Sequence, residues 1–234
     1  MTRASPAPSC RASAAGLSLV ELMVGVAVGL MVVAGASYVA ANQIADNRRL
    51  LLETQVQQDL RAAADMVARD LRRAGYWGAA ESGMWRDAGT VAAANPYVAV
   101  TPDSAGSAVG EVDFTYSRDR SGAEDGLVDS DRETFGFKLD GGVIKMLVGG
   151  TWQQLTDPTV LEVTEFSVSA APQKAEQACY RECPTGGTAC WPTIDVRDIT
   201  IDIKGRAVGD AAVTRSVRER IRLRNDDPAG SCPT

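Results

Sequence analysis

One residue type is missing from this sequence, and four groups have the types and spacing to do chemistry. Histidine is absent. That removes Ser-His-Asp and Cys-His nucleophile activation, His-ligated zinc and pH sensing through imidazole. Five cysteines are present: Cys10 near the start, and Cys179, Cys183, Cys190 and Cys232 towards the end. An odd total sets one thiol apart. Asp113, Asp119, Glu124, Asp125, Asp129 and Asp131 crowd one region. Calcium favours such oxygen clusters, but EF-hand spacing is missing, and unpatterned carboxylates ordinarily stay hydrated. Arg218, Arg220, Arg222 and Arg224 alternate with Val217, Glu219, Ile221 and Leu223, which places the arginines on one face of a strand. Such a face could meet an acidic neighbour or nucleic-acid phosphates. With acidic residues abundant, a solvated, ion-paired face is the simpler expectation, and Glu219 interrupts the apolar side. Finally, Glu21 sits at the edge of a long apolar run, where a carboxylate is costly and usually has a partner. No Ser-x-x-Lys motif and no glycine-rich nucleotide loop accompany these groups. The expectation is a chain that is not an enzyme and carries no cofactor and no metal.

The elements that must hold these residues follow from patterning. With 45% apolar and 23% charged residues, the chain can bury a core. Its net charge of −6 makes it a poor general polyanion binder, so nucleic acid is not an expected partner. Residues 22–45 carry no charge. As a helix this run spans ~36 Å, enough for a ~30 Å hydrocarbon core. The basic residues before it, Arg3 and Arg11, predict a cytoplasmic N-terminus. Leu52, Val56, Leu60, Ala63, Val67, Leu71 and Ala74 then recur at helical spacing, with charge on the other faces and Gly75 as a stop. One helix from about Ser18 to Ala74 is predicted, apolar all round in its first half and amphipathic in its second.

After an irregular stretch over 79–110, short β-prone segments follow at 111–117, 134–139, 143–148, 151–155, 160–170, 194–204 and 213–224. Asp140-Gly141-Gly142 and Gly149-Gly150 predict two tight hairpins. Ile194 and Val196 are out of phase with Ile199, Ile201 and Ile203, which predicts a bulge near Arg197-Asp198. The fold class is α+β: a long N-terminal helix packed on a mainly antiparallel β-sheet domain.

The stretch Gly16-Leu17-Ser18-Leu19-Val20-Glu21-Leu22, behind a basic leader, resembles the type III signal of type IV pilins and type II secretion pseudopilins. Ala68 to Tyr76, Ala-Arg-Asp-Leu-Arg-Arg-Ala-Gly-Tyr, resembles the helix end of PilW-type minor pilins and the related J-type minor pseudopilins. Leu17 departs from the family's usual phenylalanine. The resemblance implies cleavage by a prepilin peptidase after Gly16, methylation of the new amino terminus of Leu17, and subunit docking through Glu21. It further implies a single-pass inner-membrane protein with a periplasmic domain, incorporated into the extracellular pilus. The implied partners are other minor pilins and the major pilin, in a complex that primes assembly near the filament tip. A J-type pseudopilin, or a tip adhesin or DNA-uptake module, is the alternative. The expected divisions are 1–16 leader, 17–45 membrane half of the helix, 46–75 amphipathic half, and 76–234 globular domain.

Without that leader, Lys plus Arg falls from 24 to 22 against 30 acidic residues, and the charge moves from −6 to −8. Four cysteines remain. In an oxidising compartment two disulfides are expected, with three connectivities open. Because Cys179, Cys183 and Cys190 share one loop, full pairing must tie Cys232 to it. The spacing does not suit a zinc site.

Overall fold

The computed structural model describes residues 16, 18–84, 93–102, 108–119 and 124–233. The chain divides into two compact units, Met1–Arg49 and Leu50–Thr234, and helix α1 (Leu19–Leu71) contributes to both. In the first unit α1 is uncharged from Leu22 to Ala45 and exposed on every side there, with Leu30 at 66% and Met31 at 75%. It is long and apolar enough to cross a membrane, and none of its most apolar stretch is buried. A core helix of a soluble domain would be covered there.

In the second unit α1 buries Val56, Leu60, Ala63, Ala64, Val67, Ala68 and Leu71. This is the predicted stripe, widened by two alanines. The helix stops at Leu71, three residues before the predicted end. Arg73 N–H donates to Asp70 O and Ala74 N–H to Leu71 O, both at 3.0 Å, the tighter i→i+3 pattern common at helix ends. Gly75 adopts φ 74°, and its N–H turns away to Thr115 O at 2.8 Å. Two distant asparagines serve the end of this segment. Asn225 Nδ2 donates to Ala74 O at 2.9 Å and Asn95 Nδ2 to Gly75 O at 2.8 Å.

Among the described residues ten strands follow: β1 (Val100–Thr101), β2 (Ala108–Val109), β3 (Glu111–Thr115), β4 (Thr134–Asp140), β5 (Val143–Val148), β6 (Thr151–Gln154), β7 (Leu161–Glu176), β8 (Thr193–Ala207), β9 (Thr214–Arg222) and β10 (Asp227–Ala229). One sheet runs β1-β3-β4-β5-β6 and the other β10-β8-β7-β2, with β9 also paired to β8. Every pairing is antiparallel. The β4–β5 and β5–β6 hairpins turn on Gly141-Gly142 and Gly149-Gly150. All four glycines have positive φ, as a two-residue turn matching strand twist requires. The helix stripe, both sheets and the Phe114, Phe135 and Phe137 rings form one continuous core. Each fully buried large aliphatic or aromatic side chain contributes roughly 1.5–3 kcal/mol.

The predicted bulge near Arg197 does not occur. Register is continuous from Thr193 to Lys204, and the irregularity lies on the partner strand between Val163 and Glu165. Arg197 itself takes the inward position, in phase with Ile199, Ile201 and Ile203, and is only 8% exposed. Its Nη1 donates to Val98 O at 2.6 Å and its Nη2 to Asn225 O at 3.2 Å. Burial pulls its pKa down, against the attraction of Asp227, Asp195 and Asp226. A buried guanidinium with carbonyl partners thus takes the place that apolar alternation would reserve for an aliphatic residue.

Candidate functional site

Gly16 and Glu21 flank the start of α1. Gly16 is exposed, and a Cβ added there would meet nothing within 4 Å. Among the described residues, packing therefore places no demand for glycine at that position. Leu17 and the expected leader residues 1–15 lie outside the described residues. Leu22 N–H donates to Ser18 O at 3.1 Å, opening the helix. Glu21 occupies the first turn and is exposed. A carboxylate is favoured there by the partial positive charge of the helix N-terminus, while the turns that follow are wholly apolar.

The cysteines form two disulfides, Cys179–Cys232 and Cys183–Cys190, with Cα separations of 5.6 and 5.7 Å. The C-terminal tail is thus bound to the loop joining β7 and β8, and no thiolate of the four is left to ligate zinc. Inside the loop, Gln177 N–H donates to Pro192 O at 2.9 Å, closing the base above the last β7–β8 pair. Trp191 Nε1 donates to Arg181 O at 3.0 Å. Tyr180 is fully exposed at the loop surface.

In the acidic region Asp125, Asp129 and Asp131 are exposed, as expected of solvated carboxylates, while two glutamates organise the described parts of the loop. Glu133 is only 3% exposed. It accepts from Arg118 N–H at 2.8 Å, Asp129 N–H at 3.0 Å and the buried Tyr97 hydroxyl at 3.2 Å. Glu124 accepts from Ser117 Oγ at 2.6 Å, Tyr97 Oη at 2.9 Å and Gly78 N–H at 3.0 Å. Burial pushes the Tyr97 phenol up, and the two carboxylates it faces add to that. Burial also acts to raise Glu124, but its hydrogen bonds from Ser117, Tyr97, Gly78 and Gly126 outweigh this and hold the carboxyl below its ordinary value. Carboxylate oxygens of Asp119, Glu124 and Asp125 lie within 4.8 Å of one another. Asp125 and Asp129 also accept N–H groups two residues ahead, as turn-forming acids do. In the sequence these acids stand out only as a cluster. Glu133 escaped it because its donors come from three separate segments.

Glu124 gives a pH prediction. Its folded pKa lies below its unfolded one, so ionised Glu124 favours the folded state above the unfolded value near 4.5. That contribution is lost as pH falls through the lower folded value. Urea unfolding of wild type and Glu124→Gln should therefore show a stability gap at pH 7 that narrows by pH 3. A gap independent of pH would contradict the assignment.

The Arg218, Arg220 and Arg222 side chains share the outward face of β9 and are already ion-paired. They meet Asp202 at 2.6 Å, Asp198 at 2.7 Å and Asp226 at 2.8 Å. On the same sheet Lys204 meets Glu165 at 2.5 Å and Arg206 meets Glu162 at 2.7 Å. Glu219, the apparent intruder on the apolar side, pairs with Arg72 beyond the end of α1 at 3.0 Å. Arg215, on the same side, pairs with Glu53 of α1. One pair ties β9 to α1 and the other ties it to the turn that follows α1.

A family model described as prepilin peptidase-dependent protein B matches residues 49–223, covering the second half of α1 and nine of the ten strands. No curated protein and no solved structure matches the chain. With its apolar helix at the N-terminus and well over half its length matched, the chain belongs to the prepilin peptidase-dependent protein B family.

Proposed function

We propose that this chain is a minor pilin of a type IV pilus, a non-enzymatic subunit that takes part in priming assembly near the filament tip. Prepilin peptidase removes residues 1–16, the amino group of Leu17 is methylated, and Glu21 docks the subunit against its neighbours. The membrane half of α1 holds the subunit in the inner membrane until assembly, with the β-rich unit in the periplasm. Other minor pilins and the major pilin are its partners. The observation that supports this reading is membership of a prepilin peptidase-dependent family in a chain whose apolar helix begins at Leu19, three residues after Gly16, and bears Glu21 in its first turn.

Gly16→Val tests it. The position is exposed and roomy, so folding is expected to be unchanged. When the variant is expressed with a prepilin peptidase, it should accumulate as precursor, with processing reduced at least tenfold on an immunoblot. Normal cleavage of the variant would refute the assigned site.

A further inference from the structure

At the end of α1 a cavity of about 250 Å³ is lined by Arg72, Arg73, Tyr76, Tyr116, Ser117, Arg224 and Asn225. Among the described residues its lining holds three cations and no carboxylate. A second cavity, of about 340 Å³ between α1 and the β6–β7 connection, includes Asp59 and Asp157. A third, of about 470 Å³, includes Glu81, Asp226 and Asp227. The three arginines of the first cavity differ in state. Arg72 is held by Glu219 at 3.0 Å. The Arg73 guanidinium lies over the Tyr116 ring, 4.9 Å from its centre, and that ring is itself stacked on Phe135 at 4.1 Å. Stacking fixes the guanidinium plane, and the Asp70 carboxylate lies near enough to feel the same charge. Arg224 is exposed and has no ion pair among the described residues. The carbonyl of Ala74 is taken by Asn225 Nδ2 at 2.9 Å.

We infer that this cavity is a docking site for a carboxylate, presented by an acidic side chain of a neighbouring filament subunit. Paired guanidinium groups, one of them pre-oriented on an aromatic face, match a carboxylate in fork geometry. The volume falls below the ~300–1,000 Å³ typical of free small-molecule sites, and suits one side chain. The outward face of β8 and β9, which would have to extend the cationic track for a nucleic acid, is neutralised by its own aspartates. The chain's net charge of −6 opposes a long polyanion as well. Only the identity of the occupant's carrier rests on the filament reading.

The test uses the full chain in detergent micelles, with fluorescein-labelled hexaglutamate as probe and hexaglutamine as control, read by fluorescence anisotropy. Wild type should bind hexaglutamate in preference to hexaglutamine. Arg224→Gln should weaken binding about tenfold, the loss of one charge-assisted contact, and Arg73→Gln/Arg224→Gln should abolish it. Arg220→Gln, on the ion-paired sheet face, should stay within twofold. Arg224 is exposed, so its single variant keeps the test valid should the double variant unfold. Three results would overturn the inference: no preference for hexaglutamate, equal weakening by Arg220→Gln, or tighter, Arg224-dependent binding of a single-stranded oligonucleotide of equal charge. The Gly16→Val chain should bind the probe normally. A failure here therefore leaves the processing claim standing, and a failure of processing leaves this one standing.

Discussion

Glu21→Ala is expected to lower incorporation of the subunit into filaments at least tenfold, measured as the sheared-to-cellular ratio on an immunoblot. From Leu22 to Ala45 α1 is uncharged and exposed, so the environment that covers this stretch must come from lipid or from other helices. A carboxylate in such surroundings persists only where a cation meets it. In the proposed filament that cation is the α-ammonium of an adjacent subunit. Removing one partner of a buried pair leaves the other uncompensated, at a cost of roughly 3–5 kcal/mol. A loss of 1.4 kcal/mol is already tenfold. Because Glu21 is exposed within its own chain, the melting transition of the Leu50–Thr234 unit should not move. Unchanged incorporation would exclude the docking role.

The second large effect is on stability. Cys179→Ser/Cys232→Ser should destabilise the β-rich unit by about 4 kcal/mol. Cys183→Ser/Cys190→Ser should cost nearer 2 kcal/mol, since the first bridge spans 53 residues and the second 7. The longer bridge also holds structural work in place. It secures the tail that carries β10, which pairs with Thr193–Asp195 of β8. The segment just before β10 supplies Asn225, whose side chain caps Ala74 and whose carbonyl receives Arg197. Chemical denaturation of the two double variants gives the comparison. Equal losses would mean that loop closure is not the main contribution.

What was legible in the sequence was local. The Gly-Gly turns fix their hairpins through backbone conformation alone, and the spacing of Val56, Leu60, Val67 and Leu71 fixes the helix face. What was not legible depends on distant partners. Arg197 reads as a break in strand phase until Val98 and Asn225 offer their carbonyls, and so a bulge was expected on the wrong strand. The cysteine pairing could not be chosen because it depends on where β10 lands. Glu124 and Glu133 look like two more acids until Tyr97 brings a buried hydroxyl to both. Glu219 looks like a flaw in a core strand until Arg72 meets it. Glu21 was the converse case. Its unusual position is plain in the sequence, while its proposed partner belongs to another subunit.

The central claim is that this chain is matured by a prepilin peptidase at Gly16. It is tested most directly by the N-terminal peptide mass of the wild-type protein recovered from membranes of cells containing that peptidase. The account predicts a mature chain beginning at Leu17 with a single methyl group on its amino nitrogen. A chain still beginning at Met1, or one beginning after the small residues Ala34–Ser37 as ordinary signal cleavage would leave it, would contradict it.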